Sequence, residues 1–303
     1  MLPTNEKFML DAAEESLLPT EADVHFYKRH GYFVSEKIFS DQEIDALLEE
    51  AGRYYGGHRD RRIPFIPKGA TYWREGDATD LRQNNYITYE SLSMRAILLK
   101  PLVGAIAAKL AETSESRLFI DVLRYKAPGR DRNTTIGWHI DRHYWQMFTS
   151  DAMLAGFIPL HDCYEEHGTI VMVDDSNQWH ETSTPDESTA LHFAQRGLND
   201  LEQRLAIEAK ANNADIKTVP IRLNKGQVCF HNSLTYHGSF PNVSERPRQT
   251  ISLHFQDKEN RYRRYPLPSG NLAAHHTEQL CARLDNDDPD YTDPEYFPVL
   301  WAG

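Results

Sequence analysis

From Leu118 to about Gln256 the apolar residues come in short runs, cut by Gly, Asn and Pro, and this pattern limits the fold more than any other feature. FIDVLRYKAPG alternates and then turns. TTIGWHIDRHYW, MLAGFIPLHDC, GTIVMVDDS, TVPIRL, GQVCFHN, YHGSF and RQTISLHFQ follow as strand-like pieces with their turns. Many short strands in series cover their apolar faces against one another, as a sandwich or barrel rather than an α/β sheet. No G-x-G-x-x-G or G-x-x-x-x-G-K-[ST] occurs, so dinucleotide and P-loop readings have no anchor. The fold class expected is mainly β with flanking helices.

Upstream of this region the signals are helical. Val24, Phe26, Tyr27 and His30 suggest a short helix ending at Gly31, and Tyr32–Val34 reads as a strand. Ser40 with Glu43 has the spacing of a capping box, and Ile44, Leu47 and Leu48 give the helix behind it an apolar face. Leu98, Leu102, Ile106 and Leu110 recur every four residues, with Pro101 as a start or a kink. The division expected is one domain over 1–303. It has a loose lead-in at 1–22, helices and a lid over 23–117, a barrel core over 118–256 with a helical insertion at 186–214, and an extension at 257–303.

Charge narrows the function classes. With 33 basic and 45 acidic residues the formal charge is −12, which disfavours general nucleic-acid binding. Cys163, Cys229 and Cys281 are scattered and odd in number, so they make neither a disulfide framework nor a C-x-x-C clip. A reducing compartment, the cytoplasm, is expected. There is no basic-then-apolar start of a secretory signal and no apolar run of membrane-spanning length, so no membrane association is expected.

The sharpest local feature is His139-Ile140-Asp141. On a strand, residues two apart face the same side, so an imidazole and a carboxylate would point at one spot. A third ligand has to come from another strand, and His237 in LTYHGSFPN is the best candidate. Two histidines and one carboxylate form the facial triad of non-haem iron(II) sites, which leaves room on the ion for a chelating 2-oxo acid and O₂. His161, His167, His180, His231 and His254 are rival ligands, with His231 the most serious because FHN also sits on a plausible strand. Beyond His237 the chain reads as strand, turn, strand, and this hairpin returns Arg248 to the metal histidine. A buried arginine there could hold the distal carboxylate of 2-oxoglutarate by a two-pronged pair. Arg246 is its neighbour and rival. Ser239, Thr250 and Ser252 could add hydroxyl groups, and Tyr125 and Lys126 in RYKAPG could reach the same cosubstrate pocket.

These segments together resemble the phytanoyl-CoA dioxygenase family, over about residues 24 to 256. FYKRHGYFVSEKIFSDQEIDALLEE is similar to its amino-terminal strand and helix, and HID to its iron motif. PLHDCYEEHGTIVMVDDSNQWHE is similar to its central turn-and-strand region, and HGSFPNVSERPRQ to the segment holding the second iron histidine and the cosubstrate arginine. The resemblance implies a double-stranded β-helix, a jelly-roll or cupin-like barrel with helices outside. It implies His139, Asp141 and His237 as Fe(II) ligands and Arg248, helped by Ser239, as the 2-oxoglutarate partner. It also implies an oxygenase that consumes 2-oxoglutarate and O₂ and releases succinate and CO₂. Where the family usually reads P-G-S-H, this chain has Asp174-Asp175-Ser176-Asn177. Asp141 stands where halogenating relatives carry a small residue, which favours hydroxylation or a related oxidation.

The substrate expected is a small anionic or polar metabolite, with secondary metabolism the favoured setting. Trp138, His143, Trp145 and Phe157 are its candidate neighbours, with His143 placed by period two on the face of His139 and Asp141. The stretch 56–86 carries Arg61, Arg62, Lys68, Trp73, Arg74 and Arg82, a basic and aromatic excursion in an acidic chain, and Trp73, Arg74 and Arg82 are read as lid contacts. Desaturation, cyclisation, epimerisation or demethylation are alternative outcomes of the same chemistry. A cupin-like metal-dependent hydrolase or isomerase, or a binding protein without catalysis, are the alternatives outside it. The arginine anchor discriminates against the hydrolase or isomerase, which needs none, while a binding protein predicts no ordered divalent ion and no 2-oxoglutarate decarboxylation.

Overall fold

The computed structural model describes residues 8–130, 134–180 and 198–303. Eleven strands form two antiparallel sheets among these residues. The major sheet has the order β1-β8-β5-β10-β3-β11, from Tyr32–Val34, Cys229–Asn232, Leu154–Pro159, Arg248–Asp257, Glu115–Lys126 and Val299–Ala302. β2 (Leu81–Asn85) also pairs with β3, along Val122–Lys126, while β11 takes the other end of the same strand near Glu115–Arg117. The minor sheet has the order β4-β9-β6-β7, from Ile136–His139, His237–Ser239, Ile170–Val173 and Thr218–Pro220. The mainly β jelly-roll expectation therefore holds, realised as two facing sheets.

Alternation along the central strands sorts the side chains. On β10, Ile251 and Leu253 point to one side and Arg248, Ser252 and His254 to the other, and a β-bulge after His254 resets the register. Ile251, Leu253 and Phe255 join Leu118, Leu123, Leu154, Ile158 and Phe230 in the main apolar core. That core is closed from outside by helices α2 (Glu21–His30), α3 (Asp41–Tyr55), α5 (Leu92–Leu98) and α6 (Pro101–Leu110), through Tyr27, Ile44, Leu47, Met94, Leu98 and Ile106. α3 starts with the expected capping box between Ser40 and Glu43, and α2 ends at Gly31 in the left-handed region (φ 81°). Pro101 occupies the first turn of α6, so the periodic stretch is two helices that break ahead of the proline.

Other expectations are modified. Within 1–22, read as loose, a four-residue helix α1 (Ala12–Glu15) is capped by Asp11 and α2 begins at Glu21. The 56–86 excursion contains β2, whose polar sequence LRQNN hid it: its partners are backbone groups of β3, and pairing of that kind needs no apolar pattern. α7 (Leu198–Ala211) lies in the expected insertion and packs on β4, where a Cβ on Gly137 would come within 2.3 Å of the Leu201 side chain. Residues 186–197 of that insertion fall outside the described residues. The 257–303 extension returns to the major sheet as β11. Among the described residues no helix is long and apolar enough to cross a membrane.

One buried carboxylate ties β2 and its loop to the sheet. Asp121 on β3 accepts from Ile87 N (2.7 Å), Thr88 N (3.0 Å) and Thr88 Oγ1 (2.5 Å), at the start of α4 (Ile87–Glu90). Asp121→Ala leaves these donors without an acceptor, so a loss of at least about 2 kcal/mol is expected, read as a lower urea midpoint.

Candidate metal centre and cosubstrate pocket

A cavity of about 260 Å³ lies between the two sheets, lined by both. His139 is the last residue of β4, and Ile140 is still extended (φ −116°, ψ 140°), so His139 and Asp141 face the same way. His139 and His237 are cross-strand partners on β4 and β9, with ring centroids 4.2 Å apart. One donor atom from each of His139, Asp141 and His237 falls within 4.8 Å of the others, and all three residues are buried.

Hydrogen bonds set which ring nitrogens face the cavity. His139 Nδ1 lies 2.8 Å from Gly137 O, and His237 Nδ1 lies 3.0 Å from Thr235 O. A carbonyl oxygen can only accept, so each Nδ1 carries the proton and each neutral ring keeps its Nε2 lone pair for the site. Burial pushes the His139 imidazole down to about 4 and His237 well below its ordinary value, so both are neutral near pH 7. Burial alone would raise Asp141, but the imidazoles of His237, His231 and His254 outweigh it and hold the carboxyl well below its usual range. Two neutral nitrogens and one carboxylate are the donor set a divalent iron takes.

Arg248 lies at the floor of this cavity, 1% exposed. Its Nη1 donates to Gly168 O at 2.5 Å, while Nε and Nη2, the two atoms of one edge of the guanidinium, are buried without a hydrogen-bond partner. Burial lowers its pKa only to about 10, so the charge remains. The Phe157 ring lies beneath it, 5.5 Å from Cζ. Lys126, the cross-strand partner of Arg248 on β3, donates from Nζ to Ser239 Oγ and Phe240 O, both at 2.7 Å. Ser252 lines the cavity two alternations beyond Arg248 on β10. Arg246 bonds His167 outside it, which removes it as a rival to Arg248.

The structure separates the remaining candidates. Trp145 and Phe157 line the cavity. His143 does not, because Asp141–Tyr144 turn into a 3-10 helix that ends the period of two; Tyr144 takes the place in the wall, and His143 packs near Tyr236. Trp138, next to His139 on β4, faces the opposite side and clusters with Ile140, Val173, Leu205 and Trp179. Tyr125 alternates away from Lys126 and packs edge-on against Tyr55. Trp73 and Arg74 line a different cavity, beside Tyr54 and Arg59, and the Arg82 guanidinium stacks over the Trp73 and Tyr125 rings. The excursion does reach the metal cavity, through Lys68, Gly69 and Thr71.

Sequence reasoning missed Arg124, Gln83, Asn85 and the segment Ala274–His276, all of which line the cavity. Arg124 was within reach of period two, since Val122, Arg124 and Lys126 share one face of β3. It bonds Gln83 Oε1 at 3.2 Å, and burial lowers its pKa to about 10. His275 and His276 come from the extension, with no local signal. Gln279 holds that segment to the excursion by donating to Lys68 O and accepting from Lys68 N, both at 3.0 Å, and His276 Nδ1 bonds the Tyr86 hydroxyl at 2.6 Å.

The family model described as Phytanoyl-CoA dioxygenase (PhyH) matches residues 27–250. The ectoine dioxygenase of Bordetella parapertussis (strain 12822) is 26% identical over an alignment of 251 residues that covers 78% of this chain and 75% of that protein. The crystal structure of the non-heme alpha ketoglutarate dependent carbocyclase SnoK from nogalamycin biosynthesis superposes with a TM-score of 0.66 at 20% identity, over 94% of this chain and 97% of that one. EctD from S. alaskensis with bound Fe gives a TM-score of 0.62 at 21% identity, over 81% and 80%. At these identities the two structures share the fold.

Removing one donor from the converging set tests the metal reading. Asp141→Ala is expected to weaken Fe(II) or Co(II) binding by more than about 100-fold, measured by anaerobic calorimetric titration, with an unchanged circular dichroism spectrum.

Proposed function

This chain belongs to the phytanoyl-CoA dioxygenase family, and from that premise we propose that it is an iron(II)- and 2-oxoglutarate-dependent dioxygenase. Its reaction oxidises a C–H bond of a small polar or anionic molecule, most simply by hydroxylation, with release of succinate and CO₂. His139, Asp141 and His237 would hold the iron. Bound there with 2-oxoglutarate, the iron supplies the oxidising power that no side chain has.

The observation that carries this reading is the free edge of Arg248. A fully buried guanidinium with two adjacent N–H groups unpaired is costly unless a ligand completes it. The group that fits both at once is a carboxylate, and the edge belongs to the same cavity as the three converging donors. A 2-oxo acid with a second carboxylate is the molecule that spans such a pair of sites. A hydrolase or isomerase on the same scaffold has no use for this anchor. EctD is solved with bound Fe and also with 2-oxoglutarate and 5-hydroxyectoine, and SnoK is described as alpha ketoglutarate dependent, in line with this reading.

The residues around the site have simpler tasks. Lys126 donates to the Ser239 hydroxyl beside Arg248, and Phe157 packs under the guanidinium. Trp145, held edge-on against Phe119 and His254, walls the far end. Charge supports the substrate class: Lys68 and Arg124 line the cavity with Arg248, and among the described lining residues Asp141 is the one carboxylate. In a chain of net charge −12 this is a local reversal of sign, suited to a polar or anionic partner. Where the oxidised carbon sits decides between hydroxylation, desaturation, cyclisation, epimerisation and demethylation, and the likeness to a carbocyclase keeps those outcomes within the proposal.

Anaerobic titration of the Fe(II) protein with 2-oxoglutarate should produce the visible charge-transfer band of a chelated 2-oxo acid. Arg248→Met should raise the 2-oxoglutarate Kd by about 30-fold or more, as expected when one partner of a buried charge pair is lost, while Fe(II) affinity stays near wild type. An unchanged 2-oxoglutarate Kd in that variant would overturn the proposed anchor.

A further inference from the structure

The two oxygens of Asp141 have different surroundings. Oδ1 lies toward His237, 3.9 Å from its Nε2. Oδ2 is buried, makes no hydrogen bond, and lies 3.7 Å from Nε2 of His231. His231 is itself 3% exposed and neither of its ring nitrogens has a hydrogen-bond partner. It sits on β8, whose backbone is paired on both sides, with Tyr32 and with Ala155. Its ring is 4.4 Å from that of His237, yet its nitrogens are outside the set of donors that converge with His139 and Asp141. An unpaired imidazole and an unpaired carboxylate oxygen, facing each other in a buried site, are each costly alone and satisfy one another if they close to about 3 Å.

We infer that His231 is a positioning residue: when a metal binds, its Nε2–H would close on Asp141 Oδ2 and leave Oδ1 alone to face the metal. The inference rests on the proposed iron site. A carboxylate can hold a metal through one oxygen or through both. Three single-atom protein donors leave three of six octahedral positions open, whereas a carboxylate bound through both oxygens leaves two. A 2-oxo acid chelating a bound iron would take two positions, and the third would be left for O₂. By engaging Oδ2, His231 keeps that third position open. This also explains why a histidine so near the centre is spared as a ligand.

The test uses nitric oxide as a probe of the third position in the full-length protein loaded anaerobically with Fe(II) and 2-oxoglutarate. Two signals are read: the charge-transfer band, which reports iron and 2-oxo acid chelation, and the electron paramagnetic resonance signal of the nitrosyl adduct. His231→Leu should keep the band but weaken nitric oxide binding by about 10-fold or more, the scale of outer-sphere effects at metal sites. His231→Gln, which retains an N–H donor, should restore binding to near wild type. His231→Asn is too short to reach Oδ2 and should behave like the leucine variant, so the comparison survives if leucine prevents folding. Nitric oxide binding at wild-type strength in both the leucine or asparagine variant and the glutamine variant, with the band intact, overturns the role of His231 and leaves the iron site standing. Absence of the band in the wild-type protein overturns the iron site, and the role of His231 with it.

Discussion

The ladder between β3 and β10 carries both halves of the molecule. Its pairs run from Arg248 and Lys126 at one end to Asp257 and Ser116 at the other. Because successive side chains point to opposite faces, one pair of strands holds an apolar surface against the helices and a polar surface against the cavity. Ile251, Leu253 and Leu123 are wholly buried in the core on one side, and Arg248, Arg124, Ser252 and His254 line the cavity on the other. A shift of one residue in this register would place a guanidinium in the core and a leucine in the cosubstrate pocket, so the core fixes the site geometry as it fixes the fold.

The minor sheet depends on this frame for its position, and it brings the metal donors. His139 and His237 meet as cross-strand partners, so their separation is set by backbone pairing more than by side-chain choice. Gly137 and Gly238 flank them where larger residues could not fit: a Cβ on Gly238 would lie 2.8 Å from Ile136 O. The carbonyls of Gly137 and Thr235 then orient the rings. Each histidine is thus held by the strand it sits on, and the centre needs little rearrangement to accept an ion.

Legibility in the sequence followed the reach of local patterns. The capping box at Ser40, the stop at Gly31 and the break at Pro101 are local chemistry, and they appear where the residues place them. The H-x-D pair, His237 and Arg248 were legible because strand alternation and one hairpin suffice to bring them together. His143 was misplaced because alternation was carried two residues past the strand's end, into a helical turn. Trp138 and Tyr125 fell on the wrong face by a single residue. Trp73, Arg74 and Arg82 were chosen for charge and aromaticity, which cannot tell a stack on the outer wall from a contact inside. Lys68 and Ala274–His276 reach the cavity through long-range contacts, for which sequence spacing holds no information.

The reciprocal bonds between Lys68 and Gln279 join two segments more than two hundred residues apart in the chain, over the mouth of one cavity. During synthesis the donors from β4 and β9 leave the ribosome well before Ala274–His276, the stretch that completes the wall. A nascent chain that has released β1 to β10 but not Ala274–His276 would therefore present its metal-binding face with one side missing. The three converging donors all lie upstream of that point in the chain, whereas the wall an organic partner would meet is complete only downstream of it.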